Sequence, residues 1–454
     1  MKVAIAGASG FVGLNLITRL LKDPEIEVVG LSRSNKKSDY QNLTWKKCDL
    51  FSVLDIERAI DGADVVVYLV HSMQPSARLD QANFRDYDLI LADNFGRAAK
   101  KLEISKVIYL GGIIPTDEEL SFHLLSRLEV ELCLKEYIPN YVFFRAGLIL
   151  GANGSSFHLL VNLIKNLPVL LCPKWTKNKT SPVYVGQVVD TFYSAIKNNR
   201  IDSSTYDLTS NDTISYMDLL KIASKYLKLG RKFYYVNLSF ISISRFWVSL
   251  FSGAPRMLVY PLVESLRHSM VPREGCVYKS DDVEVLGTAQ AIKKSIRESN
   301  DVDYKFSSRE VTRRSVRSVQ RFKVKGQISA NQAAQLYMKW LPKFLFPFII
   351  VDVDGSWVTF SFLFKRIKFL ILKLSEERST DDRQILYIKG GLLAAKQDRG
   401  RLEFREVLGR KYILVAIHDF YPALPWYIYC YSQALIHLFV MKSFGRYLKR
   451  KSSQ

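Results

Sequence analysis

Residues 3–13 read VAIAGASGFVG. Val3 to Ala6 form an apolar run of strand length, and Leu14 to Lys22 follow with a helical pattern. Between them Gly7, Gly10 and Gly13 recur at every third position. Each glycine has a physical role in such a turn. Gly7 lets the chain leave the strand sharply, Gly10 lets the backbone approach a pyrophosphate, and Gly13 lets the helix pack closely on the strand. The helix start offers free N–H groups and the positive end of a dipole to phosphate oxygens. Ser9, Phe11 and Val12 fill the turn and count with the glycines as expected cofactor contacts. The strand-turn-helix setting lifts the pattern above a chance run of glycines. A tight strand-helix turn without a nucleotide is the competing reading.

The next apolar run, Glu27 to Leu31, ends at Ser32-Arg33-Ser34. An acidic residue here would hold the ribose 2′-hydroxyl of NAD. Arg33 stands there instead, with Ser32 before it and Lys36 and Lys37 after it. A guanidinium fork suits a 2′-phosphate, so NADP is expected ahead of NAD. A solvated basic loop is the alternative. Asp49 and Leu50 close a further short strand, where an adenine ring would lie. Ala63 to His71 (ADVVVYLVH) reads as a buried strand. Leu69, Val70 and His71 at its carboxyl end are expected beside a nicotinamide.

The chain has 454 residues, enough for two or three domains, and its 48% hydrophobic and 24% charged content is that of a globular protein. Its five cysteines are scattered without a CxxC pair, so neither a disulfide framework, a zinc site nor another metal site is expected, and a reducing cytoplasm fits. Met1 leads straight into a strand, which leaves no room for a signal peptide. The net charge of +21 suits an anionic partner. The basic residues match no nucleic-acid motif, so no nucleic acid is expected and a membrane surface is the better candidate.

Up to residue 150, strand and helix patterns alternate at 2–6, 14–22, 27–31, 55–61, 64–70, 84–102, 106–110, 124–136 and 141–145. That rhythm predicts an α/β fold with a doubly wound parallel sheet. Residues 151–300 read as a looser substrate lobe, with a Pro-bounded segment at 173–180, a strand-like run at 182–185 and apolar helices around 238–267. Residues 301–318 read as a basic linker in which Lys305, Arg309, Arg313, Arg314 and Arg317 accompany the acid Glu310. From 319 to 454, strand-like runs at 319–324, 347–352, 356–362, 384–389, 400–407 and 411–418 precede a long apolar segment, 426–448. Antiparallel strands closed by one long helix predict a curved sheet gripping that helix, with a cavity between.

GASGFVG, YLVHSM, KVIYLGG, FRAGLILG and SPVYVG occur in that order within residues 1–300. In this the chain resembles the atypical extended short-chain dehydrogenase/reductases, the branch with NAD(P)H-binding, NmrA-like and complex-I-subunit-like members. The runs ERSTDDRQILYIKGGLLA, GRLEFREV and HDFYPALPWYIY resemble a domain of unknown function fused behind such a domain in bacteria, one similar to the START-like (SRPBCC) helix-grip fold. The resemblance implies a Rossmann domain over 1–300 and a C-terminal α+β helix-grip domain over 319–454. It also implies a nicotinamide dinucleotide and a hydrophobic quinone-, lipid- or carbonyl-type ligand.

A working reductase of this kind has a Tyr acid, a Lys four residues on, and a Ser or Thr at the end of the preceding strand. Here His123 takes the Tyr position, Arg127 the Lys position, and Gly111-Gly112 the strand end. One reading keeps catalysis, with His123 as proton donor and Arg127 holding phosphate or ribose. The other makes the protein a non-catalytic redox sensor or a carrier of hydrophobic ligands at a membrane surface. Arg145 is expected as a paired charge on the floor of the cofactor site. Trp175 fits a packed loop aromatic or a closing loop. His418-Asp419 lacks the nucleophile elbow that would make it part of a triad. Gln433 and His437 share a helix face and either line a cavity or face water.

Residues 420–441 carry no charge, are long enough to span a bilayer, and are followed by Lys442, Arg446, Lys449, Arg450 and Lys451. Pro422 and Pro425 break the first turn, and Ser432, Gln433 and His437 dilute the rest, so spanning is not expected. The stretch 240–263 holds Arg245, Pro255 and Arg256 and is a poor span. A cytoplasmic protein with peripheral contact to the inner membrane through its basic end is the expectation.

Overall fold

A computed structural model describes residues 1–72, 79–116, 119–198, 203–237, 241–299, 315–325, 328–362, 366–395 and 398–452. The chain divides into two compact units. Met1–Gln74 and Asp88–Ser308 form one, and Pro75–Tyr87 and Arg309–Gln454 form the other.

The first unit is built on a parallel seven-stranded sheet. Its strands are β1 (Lys2–Ala6), β2 (Glu27–Ser32), β3 (Leu43–Lys47), β4 (Val65–Tyr68), β6 (Lys106–Gly112), β7 (Tyr141–Ala146) and β12 (Ser204–Leu208), in the order β12-β7-β6-β4-β1-β2-β3. The helices between them are α1 (Phe11–Leu20), α2 (Val53–Ile60), α3 (Phe84–Lys101) and α4 (Phe122–Tyr137). The central strands are apolar on both faces, as a sheet covered on both sides requires. Val3, Ile5, Val65, Val67 and Ile108 join one core with Leu16 and Ile17 of α1. On the opposite face Tyr68 meets Phe95 of α3, ring centroids 5.0 Å apart. Helix α1 starts at Phe11, earlier than the sequence pattern suggests, because Gly10 is its N-cap and has no side chain to mark the boundary.

Beyond β7 the chain weaves a lobe of helices α5 (Ser155–Asn166), α6 (Val185–Lys197), α7 (Tyr216–Tyr226), α8 (Ile241–Ser252), α9 (Arg256–Ser265) and α10 (Thr288–Ser299). Three short strand pairs join them: β8 (Ile149–Leu150) with β11 (Val183–Tyr184), β9 (Val169–Cys172) with β14 (Lys232–Tyr235), and β10 (Lys179–Thr180) with β13 (Ile214–Ser215). The apolar stretch around 240–263 is two helices, divided by Gly253 in the left-handed region and Pro255 at the second N-cap.

The second unit carries a mixed eight-stranded sheet. Its strands are β5 (Leu79–Gln81), β15 (Val316–Lys323), β16 (Ile350–Asp354), β17 (Trp357–Phe362), β18 (Ile367–Leu374), β19 (Arg383–Gly390), β20 (Arg401–Val407) and β21 (Tyr412–Phe420). The order is β16-β17-β18-β19-β20-β21-β15-β5, antiparallel except for the parallel pair of β15 with β5. Tyr87 Oη closes this edge by bonding Asp80 at 3.1 Å, and Arg321 pairs with Asp86 at 2.6 Å. Helices α11 (Ala330–Phe344), α12 (Trp426–Tyr431) and α13 (Gln433–Lys451) complete the unit. Leu386, Leu402, Phe404, Ile413 and Val415 form one core with Tyr337 and Leu341 of α11 and Phe444 and Leu448 of α13.

Three features depart from the sequence expectation. The apolar segment 426–448 is two helices, broken at Ser432 (φ −128°, ψ −86°). Strand β18 and helix α11 were not expected, although Ser329 and Gln332 form a reciprocal capping box at the start of α11. Of the stretch read as a linker, residues 301–314 lie outside the described residues, and Val316 already opens β15. Among the described residues no helix is long and apolar enough to cross a membrane, and no cluster suits a metal ion.

Candidate functional site

The glycine turn leaves no room for side chains. Gly7 sits at φ +86°, and a Cβ on it would lie 2.8 Å from the Leu69 carbonyl oxygen. A Cβ on Gly13 would collide with the Gly7 carbonyl oxygen and come within 2.8 Å of Ala8 Cα. Gly10 donates its N–H to Gly7 O at 2.9 Å and accepts from Leu14 N at 2.9 Å. No side chain caps α1 and no acid lies in its first turn. The amides at Phe11, Val12 and Gly13 are therefore oriented for an anion. Ser9 and Gly10 are exposed, and Phe11 and Val12 half-buried.

At the end of β2, Ser32 is buried and its Oγ accepts from Ser34 N at 3.3 Å, while Arg33 is exposed. Lys36 lies over the Trp45 ring, 4.7 Å from its centroid. Asp49 Oδ1 accepts from Phe51 N at 3.2 Å, and Leu50 O accepts from Asn94 Nδ2 at 3.0 Å. The turn at Asp49 and Leu50 is thus held by one side-chain and one main-chain acceptor.

The carboxyl end of β4 carries the dense chemistry. Leu69 N extends the ladder to Ala6 O at 2.9 Å, and His71 follows at once. His71 Nδ1 lies 3.0 Å from Asp88 Oδ2 and 2.8 Å from Arg127 Nη2. Arg127 Nη2 is itself 2.5 Å from Asp88 Oδ2, and Nη1 donates to Val70 O at 3.1 Å. Asp88 also accepts from Ser126 Oγ, Ser72 N and Ser72 Oγ, each at 2.7 Å. Burial pushes the Asp88 carboxyl up, but the Arg127 charge and then His71 outweigh it and hold it well below the usual carboxylate range. Sequence reasoning missed Asp88. Its one signal is an acid inside the apolar helical run YDLILA.

His123 sits one turn before Arg127 on α4, its ring centroid 5.1 Å from that of His71. Its Nδ1 meets Ser265 Oγ at 3.0 Å. Ser265 Oγ also lies 3.0 Å from Ser121 Oγ and 3.0 Å from Pro261 O, which ties the start of α4 to α9. Burial lowers the His123 pKa well below the ordinary value, and the neighbouring His71 and Arg127 lower it further. Burial, then Arg127, lowers His71 as well, against the pull of Asp88. Both rings thus titrate below the ordinary imidazole value, which favours their uncharged forms at neutral pH. Gly111 and Gly112 end β6 and place no hydroxyl there. Behind them Tyr109 Oη donates to Arg127 O at 3.1 Å.

The structure brings His71, Val70, His123 and Arg127 into one cluster, and Gly7 against Leu69. Arg145, expected as a paired charge, is buried with its Nε and Nη2 both donating to Glu131, at 2.8 and 3.0 Å. Trp175 packs edge-on against Tyr216, 6.2 Å between centroids. His418 is buried 3.6 Å from Glu403, and Asp419 pairs with Arg317 at 3.0 Å. His437 is half-buried, its pKa pushed down to about 4 by burial, and Gln433 is half-buried too.

The parallel sheet and the glycine turn define a Rossmann-like fold of the NAD(P)-binding type. Residues 7–138 match the family described as NAD(P)H-binding. Auxiliary protein GraX of Staphylococcus aureus is 37% identical over 111 residues, which are 24% of this chain and 36% of GraX. An N-acetyl-gamma-glutamyl-phosphate reductase of Caldicellulosiruptor bescii is 46% identical over 71 residues, 14% of this chain and 20% of that one. The chain therefore spans about a third and a fifth of these curated relatives (36% and 20%). A solved nucleoside-diphosphate-sugar epimerase of Staphylococcus aureus superposes with a TM-score of 0.50 at 16% identity, over 66% of this chain and 100% of that one. The triphenylmethane reductase of Citrobacter sp. does so with a TM-score of 0.50 at 15% identity, over 65% and 100%. At such identities the likeness is one of fold.

Proposed function

We propose that the protein is an NADP(H)-dependent oxidoreductase acting on a hydrophobic alcohol, carbonyl or quinone, with a His123–His71–Arg127–Asp88 cluster where the reductases it resembles would have Tyr, Lys and Ser. The observation that carries this reading is the placement of that cluster at the carboxyl end of β4, against the glycine turn. The α1 N-terminus would hold the pyrophosphate, and Ser32 and Arg33 the 2′-phosphate. Bound there, the dinucleotide would supply hydride chemistry. His123 would take the hydroxyl proton of an alcohol in oxidation and return it to the carbonyl oxygen in reduction. Arg127 and Asp88 are positioning residues that fix His71 and the Val70 carbonyl. A second reading, a nicotinamide sensor without turnover, is favoured by one observation: Arg127 has its fork engaged by Asp88, His71 and Val70.

The C-terminal unit runs strand, helix, six antiparallel strands and long helix, with its first strand closing beside its last. That topology supports the START-like helix-grip reading and, with it, a hydrophobic-ligand module. Calorimetric titration with NADPH and NADH tests the cofactor half of the proposal. NADPH binding that is lost in Arg33→Asp while NADH binding persists is expected, and binding of neither nucleotide by the unaltered chain would end the proposal. NADPH turnover on a carbonyl and quinone panel, abolished by His123→Ala, separates the enzyme from the sensor.

A further inference from the structure

Large apolar side chains crowd the solvent on one part of the second unit. Phe346 is 80% exposed, Tyr431 79% and Tyr427 78%. Ile428, Leu435, Ile436, Phe439 and Phe348 are each more than half exposed. The two chain segments involved meet in space, since Phe439 of α13 lies 5.8 Å from Phe344 at the end of α11. Isolated exposed apolar residues need no explanation, but a contiguous set of this size marks an interaction surface.

The charges around it narrow the partner. Residues 330–351 and 420–454 hold Lys339, Lys343, Lys442, Arg446, Lys449, Arg450 and Lys451 and no acid. On α13 one exposed stripe runs Leu435, Phe439, Lys442, Arg446, Lys449 at helical spacing, apolar at its start and basic at its end. At ~1.5 Å rise per residue, Lys442 stands about 4.5 Å above Phe439 along the helix and Arg446 about 10 Å above it. Interfaces between proteins are depleted in lysine. A layer of aromatic and aliphatic side chains capped by lysine and arginine is instead the pattern of a surface seated at the boundary of acyl chains and anionic headgroups.

We infer that the face formed by the end of α11, α12 and the first half of α13 docks the protein peripherally on an anionic lipid bilayer. The aromatic residues enter the acyl boundary, and Lys442, Arg446 and Lys449 meet headgroup phosphates. Among the described residues no helix can cross a membrane, so the contact is interfacial. The inference is independent of nicotinamide binding, and failure of one leaves the other standing.

Co-sedimentation of the full chain with lipid vesicles tests it. The unaltered protein is expected to pellet with phosphatidylcholine vesicles doped with phosphatidylglycerol, to pellet little with phosphatidylcholine alone, and to be released by salt. Lys442→Gln/Arg446→Gln/Lys449→Gln is expected to lower partitioning ~fivefold per charge, on the order of a hundredfold in all. Phe346→Ser/Tyr431→Ser/Phe439→Ser changes exposed positions, should keep the far-ultraviolet dichroism and melting curve, and is expected to abolish pelleting. Failure of the unaltered chain to pellet with anionic vesicles would overturn the inference. So would variants that pellet as it does. A dimer in solution that the aromatic variant dissociates, without vesicle binding, would reassign the face to contact between two copies of this chain.

Discussion

Replacing Asp88 by Asn keeps the shape of the side chain and removes the charge around which the site is organised. In the native site its Oδ2 lies 2.5 Å from Arg127 Nη2, and both side chains are almost wholly buried. Loss of the carboxylate leaves a guanidinium in the interior that cannot deprotonate. Breaking such a pair from one side costs about 3–5 kcal/mol. At roughly 2–3 °C per kcal/mol for a unit of this size, the melting temperature should fall by ~6–15 °C. The decisive comparison is a double-mutant cycle with Arg127→Met, read by thermal melting in the full chain. Each single variant is expected to be strongly destabilised, and the double variant less so than the sum, by about 1–3 kcal/mol. An Asp88→Asn protein within ~1 kcal/mol of the unaltered one would refute the reasoning, because the buried contact of Asp88 with Arg127 would then contribute almost nothing.

Gly13→Ala forces a Cβ onto the Gly7 carbonyl and should cost about 1–3 kcal/mol in stability as well as weakening NADPH binding, both measurable by melting and calorimetry. Stability should fall as pH drops from about 6.5 toward 5: His71 and His123 have folded pKa values below their unfolded ones, so the unfolded chain takes up protons first, at up to ~1.4 kcal/mol per pH unit for each group. Urea titrations across that range check the slope, and a flat profile would contradict neutral buried rings. If His123 carries the proton, carbonyl reduction should accelerate as pH falls below neutrality, since its acid form is scarce at neutral pH, and His123→Ala should flatten that profile. In the second unit, Glu403 is fully buried between Arg383 at 2.5 Å and Arg401 at 3.3 Å, with Arg405 also bonded to it. Glu403→Gln is expected to destabilise that unit by about 3–5 kcal/mol.

The parallel sheet and the glycine turn were legible because their requirements are local. A Cβ at Gly7 or Gly13 is sterically excluded, and a strand covered on both faces must be apolar throughout. The nearness of His123 and Arg127 was legible too, since both positions lie one helical turn apart on α4. Asp88 was not, because its partners Arg127 and His71 lie elsewhere in sequence and become neighbours only through the sheet. The contact of His123 with Ser265 was equally hidden, because Ser265 lies on a helix of the later lobe. Strand β5 has the sequence Leu-Asp-Gln, with neither alternation nor length to announce it. Strand β18 holds the apolar run Phe369–Leu372, too short for its periodicity to tell strand from helix.

The edge strand Leu79–Gln81 has a consequence for how the molecule is made. Its partner is β15, and the bond from Gln320 Nε2 to Gln81 O joins residues 239 positions apart. At about 5–20 residues per second, synthesis takes tens of seconds to cover that distance. Through that interval a nascent chain holding residues 79–81 has no strand for them to pair with. A gene cut near residue 308 would leave this segment permanently without its sheet, and one begun there would leave β15 as a bare edge open to pairing with another chain. The two halves of the sequence are for this reason not two separable products, and expression of either alone should favour aggregation over a folded fragment.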